Sequence, residues 1–255
     1  MNTRSMINRL AKQFPKRLAK KHHDHVGLMT GKLKENTNKI LLCLDLDEEV
    51  YPFVKETMPD LIITHHPFIY GTKYKVFKYD EKKKVLCEAI DKLNIPVYSM
   101  HTNFDEGKGG MNDSLAEALE LKDIYAPSKE QTMRIGYLKE KMDIIEASKY
   151  IKNALNVSYG LLIQGNDKLI EKVGIIGGGG SRSFKIALEE GCDLYISGDI
   201  PHHVRRDVVT SKFNFLDLPH EIEKIFMPTM KKILLGFDSS LEIIIVDHEK
   251  LPKVI

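Results

Sequence analysis

The sequence predicts an α/β fold built from two intertwined lobes. Short apolar runs of strand length alternate with amphipathic helical segments along most of the chain, which is typical of βαβ units. Several of these runs end directly in histidine, aspartate or glycine. Pro127 and Ser128 interrupt the alternation. We therefore expect a first lobe over residues 1–126, completed by the C-terminal segment 216–255, and a second lobe over residues 127–215.

Composition sets the broad class of protein. The chain has 255 residues, 42% of them hydrophobic and 29% charged, with a net charge of +2, so it can form a real core. This charge gives no argument for nucleic acid or membrane partners, and no apolar run reaches the roughly 18 residues of a membrane span. We expect a cytoplasmic protein. Its three cysteines form no C-x-x-C motif, which predicts buried structural thiols: Cys43, Cys87 and Cys192.

The N-terminal segment predicts helices followed by a polar loop. Residues 3–20 carry apolar side chains at helical spacing, interrupted by Pro15. The next stretch groups three histidines with an aspartate: His22, His23, Asp24 and His25. Such a group could be a metal site, but no further ligand lies nearby in sequence. We interpret it as a solvated loop.

The following segments predict a βαβ unit. Lys39–Leu46 is a continuous apolar run and a good central strand, Glu48–Glu56 has helical character, and Leu61–Thr64 is a short buried strand. Two strands joined by a helix should be parallel, with a right-handed crossover.

A histidine pair follows the second of these strands. Pro67 cannot continue a central strand, so His65 and His66 should lie at its carboxyl end. Open α/β sheets bind ligands beyond the carboxyl ends of their strands. The alternative, one buried and one exposed structural histidine, is as plausible for the pair taken alone.

The rest of the first lobe repeats this pattern. Residues 71–79 are interpreted as a polar loop, Glu81–Leu93 as a helix and Pro96–Met100 as a third strand. That strand runs into a polar cluster that contains His101 and Asp105. A helix is predicted next at Asn112–Leu121.

The second half of the chain also alternates strands and helices. Its predicted strands are Thr132–Leu138, Ser158–Gln164, Lys172–Ile176, Asp193–Ser197, Phe213–Leu218 and Leu241–Val246. Its predicted helices are Lys141–Leu155, a segment from Ser181 to Glu190, and Glu221–Leu235. The glycine run Gly177–Gly180 could cradle a phosphate or form a tight turn. Pocket and structural roles stay equally open for three polar residues after a strand: Asp199, His202 and His203.

The polar residues at the strand ends suggest a metal centre. His220 and Glu223, three apart, should share one helix face, although they could also be an ordinary helix N-terminal pair. Together with His65, His66 and Asp105 they supply three imidazoles and two carboxylates. This set can hold two ions if one carboxylate bridges them, each ion keeping an open position, as in catalytic sites. Such donors suit Zn, Fe, Mn or Ni.

Four sequence blocks resemble one known family. THHPF, HTNFD followed by GG-x-N, YISGD, and the late His-plus-Glu helix start occur here in the order seen in the Nif-three-like family. Its members are also known as GTP cyclohydrolase 1 type 2 homologues and as dinuclear-metal hexamer proteins. The likeness covers nearly the whole chain. It implies a toroidal homohexamer whose metal sites face an internal cavity, with a dinuclear metal site in the cleft between the two lobes of each subunit.

The resemblance also implies a role for each site residue. His66 and Asp105 correspond to ligands of one ion, His65 and His220 to ligands of the other, and the late glutamate bridges both. The family places that glutamate four residues after the histidine, where this chain has Lys224, so Glu223 is the nearest suitable acid. His101 begins the HTNFD block and is expected to orient a ligand or to move protons as a catalytic residue.

Two functions follow as hypotheses. The first is a metal-dependent hydrolase, with two divalent ions per subunit, acting on a nucleotide-like or other small polar substrate, GTP being suggested by the family label. The second is a non-catalytic, metal-binding hexameric regulator or interaction scaffold.

Overall fold

The computed structural model describes residues 1–253. The helices are α1 to α11 in chain order: Thr3–Gln13, Lys16–Lys20, Tyr51–Thr57, Lys73–Tyr79, Glu81–Lys92, Thr102–Glu106, Met111–Ala118, Ile144–Ala154, Phe184–Glu189, His202–Thr210 and Phe226–Phe237. The strands are β1 to β11: Gly27–Thr30, Lys39–Cys43, Leu61–Thr64, Val97–Ser99, Lys122–Tyr125, Arg134–Met142, Leu161–Ile163, Ile170–Ile175, Leu194–Gly198, Asn214–Leu218 and Glu242–Ile245. Two short 3₁₀ helices cover Ser181–Ser183 and His220–Ile225.

The chain forms two compact units, each with its own sheet. Unit 1 comprises Met1–Gly110 and Phe226–Lys250, and unit 2 comprises Met111–Ile225 with residues 251–253. The α/β class is confirmed, because helices and a mixed sheet occur in each unit. The lobe boundaries expected from Pro127 stay a prediction. No helix formed by residues 1–253 is long and apolar enough to cross a membrane.

Unit 1 is built on a five-stranded sheet in the order β1-β4-β3-β2-β11. Strands β11, β2, β3 and β4 are parallel, and β1 pairs antiparallel with β4. The predicted βαβ unit is confirmed by the register that pairs Leu41 with Ile62. The central strands are apolar along their length because both their faces are buried: all four residues of β3 are inaccessible.

Unit 2 is built on a six-stranded sheet in the order β5-β6-β8-β9-β10-β7. Its central strands β8, β9 and β10 are parallel, whereas β5, β6 and β7 are joined by antiparallel pairing. Tyr195 and Phe215, fully buried on neighbouring strands, meet edge to face at 5.3 Å in the core. The carboxyl ends of β9 and β10 therefore lie side by side at one edge of the sheet.

Several elements differ from the sequence predictions. Residues 71–79 were expected to form a loop, but Lys73–Tyr79 is a helix that begins with Thr72 as its cap. The segment after His101 is also helical, as α6. The predicted helix Glu221–Leu235 is a 3₁₀ helix followed by α11. Lysine and tyrosine dominate α4, and none of its residues is fully buried, so it lacks the apolar stripe by which helices are recognised.

Candidate metal centre

The histidine pair lies where β3 ends. Thr64 is the last strand residue, and its hydroxyl donates to the carbonyl of His66 at 2.7 Å. The same hydroxyl lies 2.7 Å from that of Ser99 on β4, which in turn accepts a hydrogen bond from the Phe68 amide at 3.2 Å. These bonds hold the turn, so the ring of His65 is fully buried and that of His66 partly exposed.

Parallel register brings the polar residues of unit 1 together. Cys43, Thr64 and Ser99 are aligned on β2, β3 and β4. The residues two positions further along these strands are therefore neighbours: Asp45, His66 and His101. The Asp45 carboxylate accepts a hydrogen bond from Nδ1 of His66 at 2.7 Å, and the rings of His66 and His101 lie 5.4 Å apart.

Three imidazoles form a group able to hold a metal ion. Each of His65, His66 and His101 offers one ring nitrogen, and the three atoms lie within 4.8 Å of one another. The ring of His65 lies 5.0 Å from that of His66 and 5.1 Å from that of His101. The set is partly accessible from solvent through His66 and His101.

Each ring is oriented through its Nδ1 atom. Nδ1 of His65 lies 2.9 Å from the carbonyl oxygen of Met100, and Nδ1 of His101 lies 2.8 Å from Oδ2 of Asp24. With the His66–Asp45 bond, all three Nδ1 atoms face groups that accept hydrogen bonds. Each Nδ1 therefore carries a proton, and Nε2 is the ring atom that each histidine would present to a ligand. This is how metal-binding histidines are held in proteins, so the group could hold a metal ion.

Asp105 adds a carboxylate to this group. It lies on α6, and its Oδ1 is 3.5 Å from Nε2 of His65. Asn103, buried on the same helix, accepts a hydrogen bond from the His101 amide and donates one to the carbonyl of Phe14. The helix thereby fixes His101 and Asp105 relative to each other.

Hydrogen bonds and neighbouring charges shift the pKa values of three side chains in unit 1. Burial alone would raise the pKa of Asp24, but hydrogen bonds from His101 and Thr102 outweigh it and lower that pKa to about 2. At His101, burial alone would lower the pKa. The hydrogen bond to Asp24 and the charge of Asp105 outweigh burial and raise the pKa above the ordinary value. Burial and the His66 hydrogen bond compete at Asp45, and the bond prevails, which lowers the pKa of that carboxyl.

Unit 2 has a histidine–carboxylate pair of its own. His220 and Glu223 lie on the 3₁₀ helix, where side chains three residues apart are aligned. Nε2 of His220 is 2.9 Å from Oε2 of Glu223, and its Nδ1 is 2.5 Å from Oδ2 of Asp199. The Glu223 side chain is buried, and the hydrogen bond to it is the main reason that the pKa of His220 rises to about 9.

The glycine run Gly177–Gly180 is a tight turn rather than an open cradle. The carbonyl of Gly178 accepts hydrogen bonds from the Gly180 amide, the Gly198 amide and the Ser197 hydroxyl. Gly178 has a φ of +61°, and a Cβ placed on it would lie 2.1 Å from Oε1 of Glu223. Absence of a side chain at position 178 therefore leaves the room that Glu223 occupies.

The other candidate histidines lie outside these groups. His202 and His203 begin α10 and are exposed, and His202 contacts Arg205 at 3.1 Å. His22 contacts Glu106, and the His25 ring lies near Tyr70. Among the described residues none of these four belongs to a group able to hold a metal.

Sequence reasoning missed two residues that orient the imidazoles, Asp24 and Asp45. Asp45 had a usable signal, because it follows a strand parallel to the one that ends at the histidine pair. For Asp24, which lies 77 residues before His101, neither periodicity nor spacing pointed to that contact, and the family resemblance marked its segment only as a fold or interface element. The three cysteines are free and buried as predicted, and burial raises the pKa of Cys192 to about 12.

Comparison with known proteins assigns the chain to a family. The family model described as Duf34/NIF3 (NGG1p interacting factor 3) matches residues 1–252. This chain is a member of the Duf34/NIF3 family. The resemblance read from the HHP and HTN-x-D blocks is thereby confirmed.

Similar Duf34/NIF3 sequences share one name. The chain is 33% identical to the GTP cyclohydrolase 1 type 2 homolog of Clostridium perfringens, over 99% of this chain and 98% of that protein. It is 30% identical to the protein of the same name from Lactococcus lactis, with 90% of each chain covered.

Solved structures share the Duf34/NIF3 fold. A Bacillus cereus protein related to NIF3 superposes with a TM-score of 0.87 at 21% identity, covering 100% of this chain and 99% of that one. Reduced HcgD from Methanocaldococcus jannaschii superposes with a TM-score of 0.81 at 25% identity, covering 97% and 98%.

Proposed function

We propose that this protein binds two divalent metal ions per subunit and uses them to hydrolyse a nucleotide-like or other small polar substrate. The observation that supports this most strongly is the group of three imidazoles, each with its Nδ1 held by an acceptor. The proposed ligands are those that the family resemblance implies: His65, His66, Asp105, His220 and Glu223. Divalent metals at such sites polarise the bond to be cleaved and make water a stronger acid.

The protein's own groups have distinct tasks in this proposal. His65, buried and bonded to the Met100 carbonyl, presents Nε2 in a fixed orientation. Glu223 would supply the second carboxylate of the ligand set, at the position that the 3₁₀ helix aligns with His220. His101 moves a proton: with Nδ1–H held by Asp24, its Nε2 accepts a proton from water and returns it to the leaving group.

His101 could instead serve as a third imidazole ligand, because its ring nitrogen belongs to the unit 1 group. Metal analysis of His101→Gln separates the two roles. A proton-transfer residue leaves the metal content unchanged while turnover falls, by roughly 10²- to 10⁴-fold. A ligand role lowers the metal content as well.

The decisive experiment combines metal analysis with a substrate panel. The protein is purified with its native metal and assayed on phosphoesters and on GTP, because the relatives are named GTP cyclohydrolase 1 type 2 homolog. Asp105→Ala should abolish turnover, whereas Asp207→Ala, which removes an exposed carboxylate on α10, should leave it unchanged. Fewer than about two ions per chain under replete conditions would contradict the dinuclear proposal.

The same experiment also tests the alternative function, a non-catalytic regulator or scaffold. It is supported if the wild-type protein retains both ions, and the assembled state, yet turns over nothing on the panel. We propose the homohexamer implied by the resemblance as that assembled state. Light scattering should then give a mass about six times that of the 29.2 kDa subunit.

A further inference from the structure

The segment Lys21–His25 contacts both ends of α6. This helix carries Asp105, and His101 is its N-terminal cap residue. The segment itself follows α2, to which it is tied by a hydrogen bond from the Asp24 amide to the carbonyl of Ala19 at 3.1 Å. Its histidines suggested a metal site in the sequence, but its contacts are with the helix instead.

Asp24 holds the beginning of α6. Its Oδ2 accepts hydrogen bonds from Nδ1 of His101 at 2.8 Å, from the Thr102 hydroxyl at 2.7 Å and from the Thr102 amide at 3.3 Å. Its Oδ1 accepts the amide of His25 at 2.7 Å. The Asp24 side chain is only 4% exposed. A buried carboxylate with this many donors has one orientation, and it transmits that orientation to the His101 ring.

The end of α6 is held from the same segment. Nζ of Lys21 lies 2.6 Å from Oε1 of Glu106, and Nε2 of His22 lies 3.3 Å from Oε2. The Glu106 side chain is 8% exposed, so this ion pair is screened less than a surface pair. Between the two contacts, His23 adopts a φ of +56°, a left-handed conformation that a residue with a side chain rarely adopts without surrounding constraints.

We propose that Lys21–His25 is a clamp that positions the metal ligand Asp105 and the ring of His101 beside it, with Asp24 as the main positioning residue of the clamp. This inference rests on the metal binding proposed above. The clamp acts through α6 and touches no ion itself. It gives a role to the polar segment that a solvated loop would not have.

The test compares Asp24→Asn with Asp60→Asn in the full-length protein. Asp60 is a matched control, because its carboxylate, like that of Asp24, accepts hydrogen bonds from two backbone amides. The amides are those of Asn38 and Lys39, and Nζ of Lys34 is a third donor. Asp60 lies on the loop before β3. Zn²⁺ affinity is measured by competition with a chromophoric chelator. Visible absorption of the Co²⁺-loaded protein reports the coordination geometry.

Asp24→Asn is expected to weaken Zn²⁺ binding roughly 10-fold and to change the Co²⁺ spectrum, because the helix that carries the ligand Asp105 loses the hydrogen bonds that hold its beginning. Asp60→Asn should alter neither the Zn²⁺ affinity nor the Co²⁺ spectrum, even if it lowers the melting temperature as much as Asp24→Asn does. Asp24→Glu, which keeps the charge, should recover part of the affinity. Equal affinity and identical spectra for wild type and Asp24→Asn would overturn the clamp.

A second variant and the behaviour of the wild-type protein separate failure of the clamp from failure of the proposed function. If Asp24→Asn does not fold, Glu106→Gln tests the other end of the clamp, with a several-fold loss of affinity expected and an unchanged affinity contradicting it. If the wild-type protein binds neither Zn²⁺ nor Co²⁺, the proposed function fails. If wild type and Asp24→Asn bind equally well, the clamp alone fails.

Discussion

Gly178 shows how one residue without a side chain can determine a site. Its φ of +61° is unfavourable for other residues, and its carbonyl ties the turn to Ser197 and Gly198. The atom nearest to the place of a Cβ is Oε1 of Glu223. The glycine is therefore required twice, for the backbone conformation and for the position of the carboxylate.

Gly178→Ala should cost about 1 kcal/mol or more in the free energy of unfolding and, in addition, weaken metal binding, because Glu223 must move. Gly191→Ala is the matched control: its φ is +74°, but nothing lies within 4 Å of an added Cβ. Gly191→Ala should lower the free energy of unfolding by a similar amount and leave the metal content unchanged. Denaturant unfolding and metal analysis measure the two effects. Equal metal content in both variants would contradict the role assigned to Gly178.

Cys192 makes stability depend on pH in the alkaline range. Burial raises the pKa of its thiol to about 12 in the folded state, so the unfolded chain releases this proton first as the pH rises past about 9. The stabilising contribution is complete below pH 9 and declines progressively above it. The free energy of unfolding should therefore fall more steeply between about pH 8.5 and 10.5 in wild type than in Cys192→Ala. Because only one proton is released, the difference between the two proteins cannot exceed roughly a 10-fold change in the unfolding equilibrium constant per pH unit. Parallel curves would contradict this.

Among the elements, the 3₁₀ helix His220–Ile225 matters most for the site. A 3₁₀ helix advances about 120° per residue, so position 223 is aligned with His220 and position 224 is about 120° away. In an α-helix the fourth residue would be the better aligned of the two, at about 40°. The short helix therefore favours Glu223 over Lys224 as the partner of His220.

Glu223→Ala should lose at least one of the two proposed ions. Adding Lys224→Glu to that variant, which places a glutamate at the spacing expected from the family, should not restore it, because the new carboxylate lies on a different face of the turn. The measurement is metal content per chain after purification under replete conditions, with Lys224→Glu alone as control. Recovery of both ions in the double variant would show that the turn can rewind to an α-helix.

For the molecule as a whole, metal binding should couple to stability. Ligands that bind only the folded state stabilise it by mass action, by about 2.7 kcal/mol at a concentration 100 times the dissociation constant. For a protein of this size, that corresponds to a rise in melting temperature of roughly 5–10 °C. Chelator-treated protein should gain this increase on addition of Zn²⁺, whereas His66→Ala should gain much less. Scanning calorimetry measures it, and an equal gain in both proteins would contradict the assigned ligand.

Much of this protein could be predicted from its sequence. The strands Leu61–Thr64 and Lys39–Cys43 are continuous apolar runs, and a proline ends the first of them beside two histidines. These signals are local, since burial on both faces of a parallel strand imposes a composition that can be read residue by residue. Polar residues at other strand ends supplied the remaining ligand candidates, and the family resemblance gave each of them a role.

Only the tertiary structure determined how those residues meet. Helix α4 escaped prediction because none of its residues is fully buried. The choice of Glu223 depends on a 3₁₀ turn whose residues look helical in either form. The bond between Asp24 and His101 joins positions 77 residues apart through one side-chain contact, which leaves no periodic trace in the sequence. Hydrophobic patterns are repeated and local, whereas side-chain hydrogen bonds between loops are single and long-range, so the structure alone reveals them.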